Sequence, residues 1–252
     1  MQGLSVSAAL RSALDVLATG WRRGWGALLP AALLLAIAHI LRGEPLDWLV
    51  GVGAVLWCAQ AAAVCYRIGL GLSVPALAGS RVTRDVPRLL VAGLLQLILL
   101  GIITALMLTV VGAVAFGVAA AGKGFQAAEP ATWLPAMGPT GRSIAGAVAL
   151  VGLAGVIWLR LRLAFSAAAT VERQKVQVLS AWPTTRGRVL ATLAALVLAS
   201  LPTLAVAWGV RAAGLAGGAE GAFAFALAAI GVSLPLQAGL MTYLYRQSTT
   251  TT

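Results

Sequence analysis

Charged side chains are scarce in this sequence of 252 residues, where they account for 10% of the chain against 60% for apolar residues. A water-soluble domain of similar size keeps about a quarter of its residues charged to cover its surface. The mean hydropathy of +0.95 reflects the same deficit. The composition therefore excludes a soluble globular domain and predicts an integral membrane protein.

Residues that carry metal, redox or nucleophilic chemistry are also few. The two cysteines, Cys58 and Cys65, lie in one apolar run, and the single histidine is His39. This pattern provides neither a disulfide framework nor a metal-binding knuckle, and the sequence contains no HExxH or GxSxG motif. We therefore predict a non-enzymatic protein without a cofactor or metal. We expect His39 to be a packed or interfacial residue rather than a proton relay.

Acidic residues are missing from the middle of every long apolar segment. Ion-coupled transporters normally keep carboxylates near the bilayer midplane, so proton-driven transport is disfavoured. The seven acidic residues all fall between the apolar segments, at Asp15, Glu44, Asp47, Asp85, Glu129, Glu172 and Glu220.

Six apolar segments are candidates for membrane-spanning helices. A helix needs about 20 apolar residues to cross the hydrocarbon core, and windows of that size select residues 25–41, 48–72, 89–121, 143–163, 189–210 and 222–245. The third exceeds what a bilayer needs, so we expect it to tilt or project. The predicted fold is all-α, a polytopic membrane protein with six transmembrane helices in three successive hairpins. Around this domain, residues 25–246, we expect a cytoplasmic amphipathic segment over residues 1–24 and a disordered polar tail over residues 247–252.

Basic residues alternate between the two sides of the predicted membrane domain. Fourteen of the 18 precede the first span or lie at or beyond the end of the second, fourth or sixth. Arg42, Lys123, Arg142 and Arg211 fall on the other side. Since positive residues near span ends stay in the cytoplasm, we predict that both termini are cytoplasmic. The net charge of +11 follows from this rule and from the anionic inner leaflet, so no nucleic-acid partner is expected. The strong preference for Arg over Lys suggests a bacterial protein, and hence the inner membrane.

Two prolines lie inside predicted spans, Pro202 in the fifth and Pro235 in the sixth. Each removes one backbone hydrogen bond and crowds the preceding turn, so both helices should bend. Ser200, Thr203 and Ser233 lie close enough in sequence to provide partners for the freed carbonyls. The bends have two interpretations: kinks that serve only packing, or a pair of hinges at a broken-helix site.

The ends of the second and fourth spans are similar in sequence. Arg67-Ile-Gly-Leu-Gly-Leu-Ser73 and Arg160-Leu-Arg-Leu-Ala-Phe-Ser166 share Arg, Leu and Ser at the same offsets. These matches indicate three hairpins in parallel orientation, or they arise by chance in a sequence rich in Ala and Leu.

The segment that opens the fifth span is Ala181-Trp182-Pro-Thr-Thr185-Arg186-Gly187-Arg188. Pro183 suits a helix start, and Thr184 or Thr185 can cap the free N–H groups there. A structural anchor explains these residues. The alternative is that the helix start binds a lipid phosphate together with Arg186 and Arg188.

Three segments resemble motifs of a group of bacterial inner-membrane proteins. They are Arg160–Ser166, residues 181–188 and Trp25-Gly-Ala-Leu-Leu-Pro30. The proteins of this group are related to the membrane domain of glycerophosphoryl diester phosphodiesterases and to the YciC-type family. In that group a Ser-Trp-x-Leu-Thr-x-Gly type motif precedes the next span. Here Ala181 and Pro183-Thr184 depart from the usual Ser and Leu. The resemblance implies a polytopic membrane protein. Because no phosphodiesterase domain accompanies these motifs, it implies no hydrolytic activity.

Several arginines at the cytoplasmic ends of the spans form the predicted site. Arg67 and Arg160 are each followed by further apolar residues, and a guanidinium at that depth is costly unless it reaches water, pairs or meets phosphate. We predict a basic pocket for an anionic lipid headgroup. Its predicted lining is Arg67, Arg160, Arg162, Arg186 and Arg188. The alternative is structural, either snorkelling or ion pairs with Asp85 and Glu172.

These observations favour a non-enzymatic membrane protein that binds or handles an anionic lipid or another amphiphile at the cytoplasmic leaflet. Membrane lipids are then its partners. The alternative function is a membrane scaffold or accessory subunit that holds a membrane-protein partner. A transporter permease is a weaker alternative, because six spans fit that class but no coupling helix stands out.

Overall fold

The computed structural model describes residues 5–74, 83–122 and 125–249. Its helices are α1 (Val6–Ile40), α2 (Asp47–Gly69), α3 (Asp85–Ala120), α4 (Trp133–Ala136), α5 (Pro139–Arg162), α6 (Ser166–Arg173), α7 (Val189–Ala212), α8 (Ala219–Ala226) and α9 (Leu234–Thr249). A π-helical segment, Leu227–Ser233, joins α8 to α9. Short three-ten turns occur at Pro130–Thr132, Leu179–Ala181 and Pro183–Thr185. The described residues contain no strand.

Six helical stretches are long and apolar enough to cross a membrane: Val6–Ile40, Asp47–Gly69, Asp85–Ala120, Pro139–Arg173, Val189–Ala212 and Ala219–Thr249. This confirms the predicted all-α fold with six candidate membrane helices, one for each apolar segment of the sequence. The chain therefore has the build of a multi-pass membrane protein. Arg81 and Lys123, which entered the orientation argument, lie outside the described residues.

The first helix extends far beyond the predicted first span. α1 runs without interruption through residue 24, where the sequence suggested a boundary between an amphipathic segment and the membrane domain. Its buried residues continue one stripe along both halves, at Ala13, Val16, Gly20, Gly24, Ala27, Leu28 and Ala31. Spacings of three and four residues keep such a stripe on a single helix face. Arginines on the other faces lowered the hydropathy and hid this continuity.

The predicted disordered tail is helical in part. α9 continues to Thr249, so residues 247–249 belong to the helix, and residues 250–252 lie outside the described part of the chain. Two side-chain bonds hold the last turn. Arg188 donates to the carbonyl of Gln247 at 2.7 Å, and Ser248 donates to the carbonyl of Tyr245 at 2.5 Å.

The chain forms two compact units, Met1–Leu94 with Arg162–Thr252, and Leu95–Leu161. In the first unit, α1 is central and packs against α2, α8, the π-helical segment and α9, while α7 packs against the last three. Small residues permit close approach there. A Cβ at Gly239 would lie 2.5 Å from the Cα of Ala13, and one at Gly24 would lie 2.7 Å from Val64. Such contacts are typical of membrane helices, which associate through packing rather than through the hydrophobic effect.

The second unit contains most of α3, α4 and most of α5. Its buried cluster is small and comprises Ala119, Ala136 and Met137. Beside it, Phe116 makes edge-to-face contacts with Phe125 and Trp133, with ring centroids 5.1 and 5.4 Å apart. The most apolar window of α3 has no buried residue within the part of the chain that the structure describes.

The two predicted proline bends differ in the structure. α7 stays α-helical through Pro202, whereas the backbone before Pro235 is π-helical. Pro235 has no N–H for the carbonyl of Gly231, four residues earlier. The indole Nε1 of Trp21 donates to that carbonyl at 2.8 Å instead. The hinge interpretation stays a prediction.

Candidate functional site

Arg67 forms an ion pair inside the first unit. Its Nη1 lies 2.7 Å from Oδ2 of Asp85, and its Nε donates to the carbonyl of Ser73 at 2.9 Å. Arg88 contacts the other oxygen of the same carboxylate at 3.3 Å. Asp85 is only 2% exposed, so these two guanidinium groups offset the cost of burying its charge. These contacts correspond to the alternative given above for Arg67, an ion pair with Asp85 rather than a lipid-binding role.

A second polar contact ties α2 to the start of α3. The side-chain oxygen of Gln60, which is fully buried, accepts from the backbone N–H and the hydroxyl of Thr83 at 3.0 and 3.1 Å. Polar side chains within apolar helices commonly hydrogen-bond to neighbouring segments in this way. Gln60 and Arg67 therefore fix where α3 begins.

Arg188 closes the C-terminal end of α9. Its two terminal nitrogens donate to the carbonyls of Leu244 at 3.2 Å and Gln247 at 2.7 Å. The last carbonyls of a helix have no intrahelical partner, and a cation there also interacts favourably with the helix dipole. Both terminal nitrogens of Arg188 thus donate to the backbone of α9.

The other predicted site residues lie in different settings. The guanidinium of Arg162 lies over the ring of Trp182, 5.9 Å from its centroid. Arg186 is exposed, and Arg160 is exposed on the part of α5 that belongs to the second unit. Glu172, expected as an arginine partner, accepts a hydrogen bond from the buried Tyr245 hydroxyl at 2.6 Å.

The expected threonine cap of the fifth span is wrong. α7 begins at Val189, and its first turn has no side-chain cap. The Thr184 hydroxyl donates to the carbonyl of Ala181, and the Thr185 hydroxyl donates to that of Trp182. Both hydroxyls thus bond to carbonyls of preceding residues and not to the first N–H groups of α7.

A polar cleft of about 690 Å³ lies between the N-terminal half of α1, the C-terminal end of α2 and Tyr243 of α9. All three helices belong to the first unit. Its lining is Ser5, Ser7, Ala8, Arg11, Ser12, Asp15, Val16, Thr19, Arg23, Ile68, Gly69, Gly71, Leu72, Val74 and Tyr243. None of the five arginines of the predicted pocket is among these residues.

The charged wall of the cleft is a single stripe on α1. Arg11, Asp15, Thr19 and Arg23 follow one another at intervals of four residues, a spacing that keeps side chains on neighbouring turns of one face. The three charged residues are exposed, and none of them lies within 4 Å of an opposite charge in the described ranges. Two cations and one anion therefore face the cleft without an ion pair from these ranges.

The close contact between α1 and α9 positions Tyr243 on the wall of the cleft. The hydroxyl of Ser12 donates to the carbonyl of Gly239 at 3.5 Å, and the lack of a side chain at Gly239 allows the two backbones to meet. Tyr243 follows one turn later on α9, as the four-residue spacing requires. Gly71, with φ of 64°, ends α2 in the left-handed conformation that glycine adopts most readily.

Two smaller cavities, of about 240 and 190 Å³, lie at the other end of α1. His39, Ala222 and Phe225 line both of them. His39 is exposed, so it does not lie in a packed core.

The sequence interpretation missed the cleft because it used Arg11 and Arg23 only to orient the chain. The regular spacing of Arg11, Asp15, Thr19 and Arg23 was available as a signal. It becomes informative only once residues 6–24 are known to continue the first helix.

No protein-family model, curated protein or solved structure matches the chain. The resemblance to the membrane domain of glycerophosphoryl diester phosphodiesterases and the YciC-type family stays a prediction.

Proposed function

We propose that this protein is a non-enzymatic membrane protein that binds the phosphate-bearing headgroup of a membrane amphiphile in the cleft beside α1. The observation that carries the proposal is the pair of exposed arginines, Arg11 and Arg23, on the wall of a single polar cleft. The site differs in its residues from the pocket predicted from the sequence, and its ligand shares the phosphate of the headgroup predicted there.

The chemistry of the lining supports a phosphate ligand. Guanidinium groups bind phosphate oxygens through paired, charge-assisted hydrogen bonds. The hydroxyls of Ser12 and Thr19 lie on the same wall and can donate to further oxygens. Both arginines retain their donors for a ligand, in contrast to Arg67 and Arg188, which are engaged by protein oxygens.

The distribution of basic residues supports a position at the cytoplasmic leaflet. Arg11 and Arg23 belong to the basic side of the chain, which the positive-inside rule assigns to the cytoplasm. With both termini on that side, in a bacterial inner membrane, the cleft opens toward a leaflet whose anionic lipids attract arginines.

Neighbouring arginines provide a matched test. Arg23 lines the cleft, whereas Arg22, the preceding residue of α1, is exposed and does not line it. Native mass spectrometry of the full chain in detergent should show that Arg23→Gln lowers phospholipid retention about tenfold, since one charged hydrogen bond contributes about 1.5 kcal/mol. Arg22→Gln should leave retention unchanged. Equal losses in both variants would indicate general surface attraction and overturn the proposal.

A competition experiment with inorganic phosphate identifies the source of the bound phosphate group. An amphiphile in the membrane and a free phosphate ion offer the guanidinium groups the same oxygens. Retained phospholipid that persists in excess inorganic phosphate assigns the cleft to a membrane amphiphile. Displacement of the lipid by inorganic phosphate alone contradicts the amphiphile proposal.

A second candidate is a membrane scaffold or accessory subunit. The observation that favours it is α3, whose 36 residues exceed the length of a membrane span and whose most apolar window is unburied within the described residues. Isolation of the chain in a stable complex with another membrane protein through α3, with equal lipid retention in Arg22→Gln and Arg23→Gln, would favour this candidate.

A further inference from the structure

We infer that the ligand of the α1 cleft carries an ammonium group as well as a phosphate, and that Asp15 binds the ammonium. This inference rests on the proposed function and names the class of headgroup. The shared chemistry is that of a zwitterion such as phosphoethanolamine, in a phospholipid or in a soluble molecule.

The position of Asp15 carries the argument. It lines the same cleft as Arg11 and Arg23 and lies between them along α1. A helix rises 1.5 Å per residue, so Asp15 is about 6 Å from Arg11 and about 12 Å from Arg23 along the axis. A headgroup whose phosphate is held by Arg11, one turn away, therefore lies beside this carboxylate. A purely anionic headgroup would be repelled by it, whereas a headgroup with an ammonium would be held at both ends.

Pairing within the helix does not account for Asp15. Arg11 precedes it by four residues, but no ion pair joins the two within 4 Å. The order of basic before acidic residue is also the less favourable one at this spacing. Asp15 lies well inside α1, so it does not interact with the N-terminal end of the helix dipole, whose effect is confined to the first turn.

Tyr243 supplies a second feature suited to a cation. It lines the cleft from α9, a different helix from the one that carries the charges. Aromatic rings attract ammonium groups over their faces, and the carboxylate of Asp15 lines the same cleft. The cleft thus combines two groups that suit phosphate with two that suit ammonium.

The test compares two lipids on the full chain in detergent. Equimolar phosphatidylethanolamine and phosphatidylglycerol with identical acyl chains are added, and native mass spectrometry measures the ratio retained. Asp15→Asn should shift this ratio about fivefold toward phosphatidylglycerol, because the variant loses the ammonium partner and the repulsion together. Glu220→Gln, an equal change of charge at an exposed position outside the cleft, should leave the ratio as in the parent.

The outcomes separate this inference from the proposed function. An unchanged ratio in Asp15→Asn, with less phospholipid of both kinds retained in Arg23→Gln, overturns the zwitterion inference and leaves the phosphate site standing. Unchanged retention of both lipids in Arg23→Gln overturns both. Where Asp15→Asn shifts the ratio, excess free phosphoethanolamine distinguishes the sources: persistence of bound phosphatidylethanolamine assigns the site to the lipid, and displacement assigns it to the soluble zwitterion. Since Asp15 is exposed, the thermal unfolding of the variant should match that of the parent.

Discussion

Several glycines of the first unit lie in close helix contacts, whereas several of the second unit lie on open helix faces. In the first unit, Gly24 and Gly239 each face a neighbouring helix so closely that a side chain would not fit. In the second, Gly101, Gly146 and Gly155 have no atom within 4 Å of the place of a Cβ among the described residues. Glycine therefore marks a helix contact only where a partner surface is present. Composition alone cannot distinguish the two cases, because both units are rich in Ala, Gly and Leu.

The two units also differ in the contacts of their arginines. The largest predicted effect on stability comes from the arginine that is paired in the first unit. Arg67→Ala would leave the buried carboxylate of Asp85 with Arg88 as its remaining ion-pair partner within the described residues. We expect the free energy of unfolding to fall by about 3 kcal/mol, measured by denaturant titration in detergent. Arg160→Ala, at an exposed position of the second unit, should change it by less than about 0.5 kcal/mol.

The retention of phospholipid by Arg67→Ala and Arg160→Ala provides a second measurement on the same two variants. If Arg67 has only a structural role, the folded Arg67→Ala variant keeps its lipids. Loss of anionic lipid from both variants without loss of stability would contradict this expectation and restore the pocket predicted from the sequence.

The glycines themselves allow the next comparison. Gly239→Ala places a methyl group 2.5 Å from the Cα of Ala13, so we expect the unfolding free energy to fall by about 2 kcal/mol. Gly155→Ala meets no such obstacle and should raise it by up to about 1 kcal/mol, because alanine loses less backbone entropy in a helix. Opposite signs in thermal unfolding would confirm the contrast, and equal signs would show that the two units are packed alike.

The carbonyl left free by Pro235 gives a smaller effect that is specific to the first unit. Trp21→Phe removes the indole donor to Gly231 and should cost about 1.5 kcal/mol, since a buried carbonyl loses its partner. In a Pro235→Ala background the segment can return to the α-helical register, in which the N–H of residue 235 serves the carbonyl of Gly231. The same change should then cost less. A double-mutant cycle measures the coupling. Strict additivity would show that the indole bond is unrelated to the proline.

The smallest effect is expected from the aromatic cluster of the second unit. Trp133→Ala removes one ring of the group formed with Phe116 and Phe125. Local hydrogen exchange over residues 125–138 should increase, while the global unfolding free energy changes by less than about 0.5 kcal/mol. A large fall in global stability would mean that the cluster supports the whole chain.

Hydropathy was sufficient to predict the six helices, because each apolar segment meets the length that a bilayer imposes. It failed at the N-terminal half of α1, where Arg11, Arg22 and Arg23 mask a continuous buried stripe. The contact of Arg67 with Asp85 was foreseen as an alternative, since the two residues are only 18 positions apart. The bonds from Arg188 to Leu244 and Gln247 join residues 56 and 59 positions apart. No local sequence pattern predicts them. The cleft was missed for the same reason, because it exists only where α1, α2 and α9 meet.

The bond between Trp21 and Gly231 makes three distant positions depend on one another. Proline at 235 creates the need for a donor, Trp21 supplies it, and the glycine at 231 leaves room for the ring, which would lie 2.7 Å from a Cβ there. In related chains that keep this fold, replacement of the proline would relax selection on the tryptophan, and a larger residue at 231 would require a smaller one at 21. Positions 21, 231 and 235 are therefore expected to covary as a set in an alignment of such chains.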